Sequence, residues 1–134
     1  EKLNSGLMSF VGELLDLYHK YPCLYSIDDS WAGFEWMNAD DADRSIFSFV
    51  RRDETGKKNL LFILNMTPMK WENYVVPVPK AGEYKLVLNS DEERFGGFGT
   101  SAPEKLKSVR EHCVLQDNVI KLDMNPYSGL VYTF

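Results

Sequence analysis

Two runs of acidic side chains are the first places to look for chemistry. Asp40, Asp41 and Asp43 follow one apolar-rich segment, and Asp91, Glu92 and Glu93 open a long irregular one. Paired carboxylates held in a cleft hydrolyse or transfer glycosyl groups, and converging carboxylates hold metal ions. Neighbours in a turn splay apart, however, so adjacency alone assembles no site. Read as a calcium loop from Asp41, the chain puts Ile46 where glycine is required and Arg52 where a bidentate acid is required. Turn and cap chemistry is the simpler reading of both runs.

Sulfur and imidazole offer less. His19 and Cys23 are four apart across Pro22, and His112 adjoins Cys113. Neither spacing fits a zinc finger or ribbon, and no local signature supports a Cys–His nucleophile. The sequence therefore implies no metal and no cofactor. Gly96-Gly97-Phe98-Gly99 lacks the Lys-Ser/Thr ending of a phosphate loop, and no GxSxG is present.

The aromatic residues are more suggestive. Trp31, Phe34 and Trp36 crowd one segment, and Trp71 stands at the start of another. Sugars lay their apolar C–H faces on such rings while carboxylates and amides take the hydroxyls. Trp36 beside Asn38 and Asp40, with Trp31 nearby, has those ingredients. A core or interface role accounts for the same rings equally directly.

Composition narrows the classes of function. With 134 residues, 44% of them hydrophobic and 13% aromatic, the chain has the makings of one packed core. A net charge of −5, with no run of Lys or Arg longer than two, argues against nucleic-acid binding. Apolar stretches are too short to span a membrane. Two cysteines 90 positions apart are too few for a disulfide scaffold, and free thiols point to a reducing cytoplasm.

These residues are positioned by one helix and a series of strands, with the handover at Tyr21-Pro22. From Asn4 to His19, apolar residues recur at helical spacing: Leu3, Leu7, Met8, Phe10, Val11, Leu14, Leu15, Leu17 and Tyr18 cover about half the circumference. Pro22 stops the helix by disfavouring helical geometry at Tyr21. Strands are predicted at Phe34–Asn38, Ile46–Arg52, Asn59–Asn65, Tyr74–Val78, Tyr84–Asn89, Ile120–Met124 and Leu130–Phe134. Residues 53–58 have hairpin-loop chemistry around Gly56. Leu60 to Leu64 is apolar on both faces and belongs in the middle of a sheet. Pro77 sends its strand to an edge. Ser90 to Ser108 carries little periodicity and reads as a long loop. The expected fold is mostly β, an antiparallel sandwich of about 7–8 strands, Greek-key-like, preceded by one amphipathic helix.

The motifs in order also carry a family likeness. Gly33-Phe34-Glu35-Trp36-Met37-Asn38-Ala39-Asp40-Asp41 is followed by Ser45-Ile46-Phe47-Ser48-Phe49-Val50-Arg51-Arg52. Next come Asn65-Met66-Thr67-Pro68, Leu88-Asn89-Ser90-Asp91 and Phe95-Gly96-Gly97. This series resembles the C-terminal part of bacterial glycogen (1,4-alpha-glucan) branching enzymes of the alpha-amylase superfamily. Phe10 to Tyr25 is similar to the last helix of that family's catalytic barrel and the segment leaving it.

The resemblance implies a parent enzyme that cuts an α-1,4 linkage and transfers the released segment to a 6-hydroxyl. Its Asp nucleophile and Glu acid/base match no residue here, so this chain is expected to be non-catalytic. The chain starts at Glu1, close to the helix, as the tail of a larger protein would. Residues 1–25 are then the last barrel helix and exit segment, and residues 26–134 the accessory sandwich. Leu3, Leu7, Phe10, Val11, Leu14 and Tyr18 are expected to face the barrel, and to drive self-association in its absence. An autonomous carbohydrate-binding module acting through Trp36 is the alternative, and a small enzyme built on the acidic runs is a third.

Overall fold

Residues 2–134 are described by a computed structural model. A 19-residue helix, α1 (Lys2–Lys20), and a single 3-10 turn at Pro22–Leu24 precede nine strands. These are β1 (Phe34–Asn38), β2 (Ile46–Arg51), β3 (Leu60–Asn65), β4 (Trp71–Val78), β5 (Glu83–Asn89), β6 (Lys105–Lys107), β7 (Val109–Cys113), β8 (Gln116–Met124) and β9 (Gly129–Thr133). Every pairing is antiparallel, in two sheets ordered β1-β2-β3-β9-β5-β6 and β4-β8-β7.

Period-two alternation builds the space between the sheets. Ile46, Ser48 and Val50 of β2 point inward while Phe47 and Phe49 point out. Val50, Leu61, Ile63, Leu130 and Tyr132 from the larger sheet meet Val76, Val78, Ile120 and Met124 from the smaller. Burying side chains from both inner faces together is what holds an antiparallel sandwich. As expected, β3 is central, and Pro77 sits in β4 at an edge, where a missing N–H costs no ladder bond.

A second core lies on the outer face of the larger sheet. Leu60, Leu88 and Val131 point there and are covered by Leu17, Tyr21 and Cys23. The helix approaches through one narrow stripe: Gly6, Phe10, Glu13 and Leu17, separated by four, three and four residues, fall within about 60° of each other. Gly6 is required at this crossing, because a Cβ there would lie 2.8 Å from the backbone carbonyl of Phe95. Phe10 packs edge-on against Phe95 at 5.2 Å, and Glu13 pairs with Arg94 at 2.6 Å. Phe10 therefore faces the chain's own sandwich, not outward as expected from the helical stripe. The other apolar positions stay bare: Leu3 is 77% exposed, Met8 76% and Leu7 60%, with Val11, Leu14, Leu15 and Tyr18 also open.

Three further differences have local causes. Strict alternation along β5 would put Leu88 on the same face as Tyr84 and Leu86, but the β5–β9 register shifts between Leu86 and Leu88. The resulting bulge turns Leu88 into the outer core. The 90–108 segment is not structureless: it contains a 3-10 turn at Glu93–Phe95 and strand β6. Strand β7, also unread, is exposed along nearly its whole length and so lacks the alternation that betrays a strand.

Candidate functional site

The site begins with the bulge in β1. Between Trp36 and Asn38 the pairing with β2 slips by one residue. Met37 turns into the sandwich core while Trp36 stays on the outer face, 49% exposed. There Trp36 stands opposite Phe49, which stands opposite Phe62 on β3. Phe49 and Phe62 stack at 4.8 Å and Phe34 stacks on Phe49 at 5.2 Å. The indole meets Phe34 and Phe49 edge-on at 5.1 and 5.6 Å. Its plane is thus held by aromatic contact with two rings, Phe34 and Phe49.

A groove of about 450 Å³ runs past that indole, lined on its polar side by Asn38, Asp40, Asp41 and Arg44 and closed by Val114 and Leu115. The polar side is held by a hydrogen-bonded relay. The Tyr74 hydroxyl donates to Asp41 Oδ2 at 2.6 Å, and Asn38 Nδ2 donates to Tyr74 Oη at 3.5 Å. Asn38 Oδ1 accepts the Asp40 N–H at 3.3 Å. Burial, then the Asp41 carboxylate, pushes the Tyr74 phenol well above its ordinary value, so it remains a donor at every physiological pH. The Arg44 guanidinium sits 5.6 Å over the Trp71 ring and 5.7 Å over Tyr74 and pairs with Asp41 at 3.4 Å. The Asp40 carboxylate makes no hydrogen bond or ion pair to another described residue.

Three of the four residues expected at a carbohydrate site (Trp36, Asn38 and Asp40) thus share one groove. Trp31 does not join them. It lies in a second groove with Asp28, Ser30, Phe34 and Arg51, and is 86% exposed. A third cleft along β5 and β6 is lined by Lys85, Asn89, Glu92 and Lys105 and carries no aromatic ring. Arg44, Val114 and Leu115 also line the Trp36 groove, without a local motif that marks them as site residues. The available signal was turn chemistry: a two-residue hairpin favours Asn-Gly or Gly-X, and this one holds Val-Leu.

The acidic runs serve the loops that contain them. Asp91 is buried and accepts the backbone N–H groups of Phe98 at 3.0 Å and Thr100 at 3.3 Å, folding the 91–100 loop around itself. Glu92 pairs with Arg94 at 2.6 Å. His19 Nδ1 contacts the Leu15 carbonyl, and His112 contacts Asp117. Cys23 is buried, and burial pushes its thiol up to about 11, the reverse of what a nucleophile needs. Among the described residues, no group of three or more His, Cys, Asp and Glu is placed to hold a metal.

Comparison with known proteins fits this arrangement. Residues 36–134 match the family model described as alpha amylase, C-terminal all-beta domain. The chain belongs to that family. It is 48% identical over 132 residues to the 1,4-alpha-glucan branching enzyme GlgB of Butyrivibrio fibrisolvens, covering 98% of this chain and 21% of the relative. The GlgB proteins of Deinococcus radiodurans and Albidiferax ferrireducens are 38% and 37% identical, over 94% and 96% of this chain and 18% and 21% of theirs. The chain spans about one fifth of the length of these relatives, and its residues 36–134 are the all-β C-terminal domain.

Proposed function

We propose that this chain serves as the non-catalytic accessory domain of a 1,4-alpha-glucan branching enzyme in glycogen synthesis. Residues 1–25 form the last helix and exit segment of the catalytic barrel, and residues 26–134 the sandwich that caps it. The bare flank of α1 carries this reading. At ~100° per residue, Leu3, Leu14, Leu7, Tyr18, Val11, Leu15 and Met8 span an arc of about 140°, more than twice the stripe used on the sandwich. An apolar arc so wide is characteristic of an interface. The rest of a branching enzyme, covering the four fifths of its relatives that this chain does not match, is its natural partner. Two free thiols fit a reducing cytoplasm.

A chimera tests this reading. The Butyrivibrio fibrisolvens enzyme with its matching region replaced by this chain should form α-1,6 branches from amylose. Leu7→Ser with Leu14→Ser in the chimera should abolish that activity, while the isolated chain should form no branches. Full activity in the doubly substituted chimera would contradict the reading.

A second role is supported by the Trp36 groove: contact with α-glucan through Trp36, Asn38 and Asp40, as an isolated carbohydrate-binding module would make. Indole face, amide and unengaged carboxylate match the apolar face and hydroxyl rim of a pyranose. Affinity electrophoresis in glycogen should retard this chain, and Trp36→Ala should remove the retardation.

A further inference from the structure

The tip of the β7–β8 hairpin breaks the chemistry of its own turn. Cys113 pairs with Gln116, so Val114 and Leu115 are the two loop residues. Val114 holds φ of +56°, at the first central position of a two-residue hairpin, where glycine is the favoured residue. A β-branched residue in this region is strained, since its Cβ crowds the carbonyl oxygen. Both tip side chains nonetheless face outward, Leu115 being 89% exposed. Nothing in the sandwich core gains from them.

The tip is also held in place. Gln116 Nε2 donates to Glu35 Oε1 at 3.3 Å, and Glu35 Oε2 accepts from Arg52 at 2.6 Å. Glu35 is the neighbour of Trp36 in β1. This chain of polar contacts fixes the base of the hairpin beside the indole, and Val114 and Leu115 line the same groove as Trp36.

We propose that the Val114–Leu115 tip is the second apolar wall of the Trp36 groove and sets its grip on an α-1,4-linked glucan chain. The inference rests on the glucan-contact reading of that groove. A pyranose has two apolar faces and a polar rim. The groove offers an indole on one side, an aliphatic pair on the other, and Asn38, Asp40 and Arg44 at the rim. Strain that folding alone would remove persists where it supports a function. The turn keeps Val114 because glycine there would leave only half the wall.

The test is a pair of tip variants measured on this chain with maltoheptaose by titration calorimetry, beside Trp36→Ala. Val114→Gly should raise the melting temperature by about 3 °C through relief of the left-handed backbone, yet weaken binding. Leu115→Ser should weaken binding about fivefold, as expected for a partly buried aliphatic contact, with the near-ultraviolet circular dichroism unchanged. Binding lost in Trp36→Ala but retained in both tip variants would overturn the second wall and leave the groove reading intact. No binding by the unaltered chain would remove the groove reading and the wall with it.

Discussion

Single residues fix the groove more firmly than its exposure suggests. The Tyr74–Asp41 hydrogen bond joins a buried phenol to a carboxylate, a charge-assisted contact of the stronger kind. Tyr74→Phe should cost about 1–2 kcal/mol in urea denaturation and release the 39–45 turn, with weaker glucan retention as the second readout. Buried acidic groups make stability fall at high pH, with Cys23 and Tyr84 setting the onset. The folded state raises Cys23 from 9.0 to about 11 and Tyr84 from 10.0 to about 12, burial being the first cause for both. The unfolded chain gives up these protons first as the pH rises. Their stabilisation is therefore complete below about pH 9 and lost through pH 11 for Cys23 and pH 12 for Tyr84. Urea midpoints should be flat from pH 7 to 9 and decline above it; a flat profile to pH 11 would contradict the assigned burial. Trp36, Asn38 and Asp40 were legible as a group because strand and turn place them within five positions of one another. Leu115 was not, since 79 residues separate it from Trp36 and only the fold of β7 and β8 over β1 brings it near.

At the level of elements, packing outweighs charge in holding α1 to the sandwich. Leu17 is buried in the outer core with Leu60, Leu88 and Val131. Leu17→Ala should cost about 2–4 kcal/mol by denaturation, the usual range for emptying such a site. Arg94→Ala should leave the midpoint unchanged within error, since the Glu13–Arg94 pair is solvent-screened. A large loss from Arg94→Ala would reverse that order. The predicted strands fall on seven of the nine observed because each of the seven packs a face against a core. Strands β6 and β7 escaped notice for the complementary reason. Both are edge strands, and the apolar signal is confined to Leu106 in one and to Val109 and the half-buried Cys113 in the other. The β5 bulge was equally invisible, because Val87 is as apolar as the residues it separates.

For the whole molecule, the decisive feature is a helix with two apolar sides. One joins the sandwich and the other is unmatched among the described residues. An isolated chain with such a flank should self-associate. Sedimentation velocity should show a mass that rises with concentration, and Leu7→Ser with Leu14→Ser should restore a monomer. The breadth of the apolar stripe was plain in the sequence. Its division between two neighbours was not, because periodicity records how much surface is apolar but not what covers each part.

That bare flank is, in our proposal, the seat of the catalytic part of a branching enzyme. The direct measurement is binding in trans, by titration calorimetry, of this chain to the Butyrivibrio fibrisolvens enzyme shortened by its matching region. We expect one-to-one association with a negative heat-capacity change, as burial of apolar surface requires, and its loss on Leu7→Ser with Leu14→Ser. Association of equal strength by the doubly substituted chain, or none by the unaltered one, would contradict it.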